Sequence, residues 1–359
     1  MYKSLITKSL IAGFALLLST GAMAQSCRKL IDAARDGDYN QVMRLIQNGA
    51  KVDCIYTIKG GPRTALNAAA LGGHLDIAEL LVEQGASVDF NAKGDATPLI
   101  TAAYRGHEEV AEYLIRQGAD VNKKVKGDGS PLLAAASSGS YDLTRMMLEA
   151  GAKVNDRVIG DGTALIASVN NNDKELVELL LEAGADPNLK SPGDGSPMTA
   201  AGDAENEAIL DLLIEYGGRV NDGTRGDASA LIRAVRRGNL DTVQKLVDKG
   251  ANPNKGVKGD GSPLIAAAKR GDYVIAQYLI AEGADVNKEV SGDDTPLIAA
   301  AWNGHLDVVK LLIENGADPN KRTRERSFFN YEVRTPLKMA RKEKYKKVVQ
   351  YLLDNGAKK

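Results

Sequence analysis

A period of 33 residues constrains what this chain can fold into more than any other feature. Glycines that close a helical pattern stand at Gly49, Gly85, Gly118, Gly151, Gly184, Gly217, Gly250, Gly283, Gly316 and Gly356, and seven of the nine spacings are 33. The exceptions, 36 at the start and 40 at the end, read as hairpin insertions of three and seven residues. Length alone would suggest two or three globular domains, but internal repetition overrides that prior. A repeat of this size is one supersecondary unit that cannot bury its apolar face alone, so stacking must supply a core that runs through every unit.

Within a unit, Thr295-Pro296-Leu297 opens a first helix with a hydroxyl cap and a proline at the first helical position, where a missing N–H costs nothing. Ala299, Ala300 and Ala301 follow and permit close approach of neighbours. Leu306, Val309, Leu312 and Ile313 then form one stripe of a second helix before Gly316 ends it. Gly-Asp pairs in the turns ahead of the first helices, as at Gly127-Asp128-Gly129 and Gly259-Asp260-Gly261, supply the positive φ of a tight hairpin.

The stretch TPLIAAAWNGHLDVVKLLIENGADPNK resembles the ankyrin consensus almost position by position, and the likeness extends over nearly all of residues 25–359. It implies an all-α, right-handed solenoid of about ten helix-pair repeats joined by short β-hairpins, starting near residues 26, 61, 96, 129, 162, 195, 228, 261, 294 and 334. One departure stands out. The histidine that the family carries after Thr-Pro-Leu is replaced by Ile100, Leu133, Ile166, Ile232, Ile265 and Ile298, which removes its usual side-chain hydrogen bonds between repeats.

The first 24 residues read as a leader: Lys3 and Lys8, an apolar run from Leu10 to Leu18, then Ala22-Met23-Ala24. The run is too short to span a bilayer. Cleavage after Ala24 would leave 335 residues of formal charge −3, too close to neutral for a nucleic-acid binder, in a periplasmic or secreted location. No membrane insertion is expected, and a monomer is. An oxidising compartment permits Cys27 and Cys54 to pair; unpaired, they are two small apolar side chains of the first repeat.

No catalytic, metal or cofactor site can be assembled. His74, His107 and His305 occupy one repeated slot, layers apart, with no Cys/His cluster and no HExxH spacing. Turn aspartates offer one carboxylate per layer, and layers roughly 10 Å apart cannot meet calcium at about 2.4 Å. An enzyme is not expected.

What the resemblance implies is a protein partner on the face made of hairpin tips and exposed ends of the first helices. By position that face displays Tyr104, Arg105, Arg233, Arg236, Arg237, Lys269, Arg270 and Trp302. The cations of the seventh and eighth repeats, ending in the chain's single tryptophan, form either a hot spot or a solvated charged strip. Phe328 and Phe329 in the longer hairpin offer either a projecting contact or a fold-back cap. Three roles fit such a binder: assisting or protecting an exported protein, neutralising an exported toxin, or a structural place in the cell envelope.

Overall fold

The computed structural model describes residues 23–58, 61–91, 95–158, 162–193, 195–203, 207–223, 228–291, 293–326 and 331–358. The chain divides, inside the helix Ala164–Asn170, into two compact units, residues 1–167 and 168–359. Both are made of the same helix pair. All ten glycines of the period lie in the left-handed region, with φ between 85° and 89°, a conformation that costs glycine little.

In the first unit, residues 23–36 are helical and lead into Tyr39–Gln47. Apart from Met23 and Ala24, the leader lies outside the described residues. A disulfide joins Cys27 to Cys54, with Cα atoms 5.8 Å apart. Helix pairs follow as Ala65–Gly72 with Leu75–Glu83, Pro98–Arg105 with Glu108–Arg116, and Pro131–Ser138 with Tyr141–Glu149. First helices stack on first helices and second on second. The first helices are buried along most of their length: Leu99, Ala102 and Ala103 are inaccessible, as are Ala135 and Ala136 one layer on.

The second unit continues with Lys174–Glu182, then Pro197–Ala200 with Glu207–Glu215, Ala230–Arg237 with Leu240–Asp248, Pro263–Arg270 with Tyr273–Ala281, Pro296–Asn303 with Leu306–Glu314, and Pro336–Lys342 with Lys346–Asp354. Hydroxyl caps recur at Ser196, Ser229, Ser262, Thr295 and Thr335, each oxygen accepting the N–H three residues on at 3.2–3.4 Å. Each such cap contributes about 1 kcal/mol.

Paired strands form at the two insertions. Tyr56–Ile58 pairs with Gly61–Arg63, and Thr323–Arg326 with Tyr331–Arg334, both antiparallel. Shorter turns carry one bridge, as at Val125 with Gly129 and Val257 with Gly261. Three or seven extra residues are what a turn needs to become a ladder.

Candidate partner-binding face

Hairpins and first-helix ends share one face in each unit, and the displayed side chains differ sharply in how far they are already engaged. In the second unit, the first helix of the sixth repeat stops after four residues, and the turn that follows places Asp203 against the next layer. Gly202 permits this, because a Cβ there would meet the Ala230 backbone. Asp203 accepts from Arg233 at 2.8 Å and from Arg237 at 3.1 Å. Arg236 reaches the Asp260 carboxylate at 2.9 Å, Lys269 lies 3.7 Å from Asp293, and Arg270 lies 3.6 Å from Asp272. The strip that reads as basic in sequence is a row of charge pairs.

Arg270 is committed further. Its guanidinium donates to the Arg236 carbonyl at 3.0 Å and packs over Gly238, where a Cβ would displace it.

Trp302 is half-buried, with the Arg334 guanidinium 4.2 Å from its ring centroid and the Lys342 ammonium at 5.8 Å, a cation–π arrangement. Arg334 also pairs with Asp294 at 3.2 Å, and Asp294 accepts from Thr323 at 3.0 Å. Glu332 takes Lys338 and Lys342 at 3.6 and 3.5 Å. The strands of the longer hairpin are thereby tied to the last two repeats. Phe328 and Phe329, at its tip, lie outside the described residues.

Tyr104 and Arg105 in the first unit present the opposite case. Tyr104 is 61% exposed, Arg105 is exposed, and among the described residues neither makes a hydrogen bond or ion pair. They rim a cavity of about 430 Å³ whose walls come from three hairpins and three first helices, and whose polar lining includes Arg63, Asn67, Asp95, Thr101 and Asp128. Inside, Thr101 donates to Asn67 at 3.2 Å and the Asn67 amide donates to the Ala96 carbonyl. Asp95 is 9% exposed, and burial raises its pKa to about 6 against the opposing charge of Arg63. The buried Arg63 Nε has no hydrogen-bond partner. This polar floor has no counterpart in the sequence reading, although Asn67 stands at the position where later repeats carry Ile100 or Leu133.

Models of ankyrin repeats in three copies match residues 30–125, 96–158, 123–191, 164–257 and 231–323, and a model of ankyrin repeats in many copies matches 298–353. The chain belongs to the ankyrin-repeat family. The ankyrin repeat domain of human ASB11 is a similar solved structure, 27% identical with a TM-score of 0.53, covering 62% of this chain and 98% of that one. No curated protein sequence matches it. Ankyrin repeats are protein-interaction scaffolds, and that much applies here.

As ankyrin repeats these layers replace the family's missing histidine contact in two ways. His74, His107 and His305 each place Nε2 on a main-chain carbonyl one repeat back, Arg35, Leu71 and Lys269, at 3.0–3.2 Å. A carbonyl only accepts, so Nε2 carries the proton. Arg270 does the same job in the eighth repeat. The second device is an asparagine four residues beyond the closing glycine. Asn254 donates to the Gly283 carbonyl at 2.8 Å and accepts from the Asp285 N–H at 2.7 Å, and Asn122, Asn188, Asn221, Asn287 and Asn320 repeat the clip. The signal was the same period of 33, in a loop rather than a helix. Among the described residues no three His, Cys, Asp or Glu side chains gather as a metal site, and no helix is long and apolar enough to cross a membrane.

Proposed function

We propose that this ankyrin-repeat chain is an exported, non-enzymatic protein that binds another protein stoichiometrically through the hairpin and first-helix face of its first unit. The observation that carries the reading is the contrast between Tyr104 with Arg105, uncommitted beside a cavity, and the cations of the seventh and eighth repeats, each held by a carboxylate. A partner desolvating Arg236 or Arg237 must break an ion pair first; one meeting Tyr104 and Arg105 breaks none. Aromatic and arginine side chains are also those that most often carry interface energy. The leader pattern and the Cys27–Cys54 bridge support an oxidising, extracytoplasmic location.

Whether the partner is assisted, protected or neutralised, the same surface serves. An envelope-anchoring role loses its support, since a strip of paired cations offers little free charge to an anionic polymer. The test is a photo-cross-linking residue placed in cells at position 104 and, as control, at position 141, exposed at the start of a second helix. One discrete adduct from position 104, none from 141, and a mature N-terminus at Gln25 by mass spectrometry are expected. Adducts at both positions, or at neither, would contradict the proposed face.

A further inference from the structure

The cavity beside Tyr104 and Arg105 is lined by two groups of opposite charge, the buried Asp95 and a half-buried Arg63 whose Nε is inaccessible. The buried Arg63 Nε has no hydrogen-bond partner, although the guanidinium charge is felt by Asp95. Asp95 accepts from the N–H of its neighbour Ala96. Buried polar groups without partners cost free energy, and a cavity that leaves a donor and carboxylate acceptor capacity open in one lining is built for something that fills both. Asn67 and Thr101 are already closed on each other and on the Ala96 carbonyl, so they define a wall rather than compete for an occupant.

Charge selects among occupants. A carboxylate entering for Arg63 would meet Asp95 and Asp128, and an ammonium entering for Asp95 would meet Arg63 and Arg105. A neutral group with an acceptor and a donor on adjacent atoms offends neither. A carboxamide has that geometry, its C=O toward the guanidinium and its N–H toward the carboxylate. A volume of about 430 Å³ takes such a group with its neighbours, and Tyr104 offers an aromatic surface for the apolar atoms behind it.

We propose that this cavity is an amide-recognition pocket, in which an asparagine or glutamine side chain, or an exposed peptide group, of the bound protein is held between Arg63 and Asp95 while its carbon stem lies on Tyr104. This deepens the reading that the partner docks on the first unit, and it makes that docking pH-dependent. The groups facing Asp95 are Arg63 and Asp128 from the hairpins on either side, with Arg105 at the rim. Protonating Asp95 removes the acceptor, so affinity for the amide falls as pH drops below about 6.

The probe is propionamide, compared with propionate and butylammonium, titrated to about 50 mM into the full disulfide-bonded chain while the Arg63 Nε–H resonance is followed by NMR. The expected result is saturable movement with propionamide alone, weakened at least about tenfold by Asp95→Ala and by Arg63→Met. The histidine N–H resonances report that both variants keep the fold. A larger response to propionate or to butylammonium overturns the amide assignment, and so does no response to any of the three. If position 104 still cross-links a protein while propionamide fails, the pocket inference falls and the docking face stands.

Discussion

Arg270 and His305 serve the same joint with different chemistry. Each reaches back one repeat to a main-chain carbonyl, Arg236 and Lys269 respectively, and each lies over a glycine, Gly238 or Gly271, where a Cβ would push it away. In sequence, Arg270 reads as a displayed cation of a binding strip; in the fold it is a clasp between layers. Arg270→Ala is therefore expected to lower unfolding stability by about 1 kcal/mol in urea titrations while leaving partner affinity unchanged. Lys344 holds φ at 64° where most other repeats place glycine, so Lys344→Gly should stabilise by up to about 1 kcal/mol. Asp95 gives a pH signature. Its folded pKa, about 6, lies above the ordinary 3.8, so its destabilising ionisation is absent below pH 3.8 and complete above pH 6. Asp95→Asn should raise Tm at pH 7 and leave it unchanged near pH 3.5, which a calorimetric pH series would check.

At the scale of elements, the helices and their ends are written in short-range chemistry, which is why they are legible. Hydroxyl caps, prolines at the first helical position and closing glycines each act within about one turn of the residue that carries them. What escaped the sequence joins residues about 24 to 40 positions apart: Arg236 with Asp260, Arg233 and Arg237 with Asp203, Arg334 with Asp294. Such pairs depend on rotamers and on how one layer leans on the next, which periodicity does not record. The stacking of Arg334 on Trp302 belongs to the same class, and it makes the tryptophan of helix Pro296–Asn303 a support for the closing hairpin. The asparagine clips were readable in principle, since Asn254 and its counterparts recur every 33 residues. Each closes two hydrogen bonds to the next repeat, so Asn254→Ala should cost about 1–2 kcal/mol, visible as faster amide exchange at Asp285.

For the molecule as a whole, repeat architecture separates what holds the chain from what it can bind. Buried positions of the first helices are mostly alanine and branched aliphatics, whereas the pair at each first-helix end runs from Tyr104-Arg105 through Ser137-Ser138 to Arg236-Arg237 and the half-buried Trp302 with Asn303. Under the proposed function, specificity would reside in those ends, and the fold decides which of them already have partners. The most direct test is affinity capture by the mature protein from a periplasmic extract, run beside a Tyr104→Ala/Arg105→Ala variant and an Arg236→Ala/Arg237→Ala variant. One protein should be retained by the parent chain and by the second variant and lost at least about tenfold from the first. Retention by the first variant with loss from the second would place the partner on the paired strip of the second unit and contradict the proposed face.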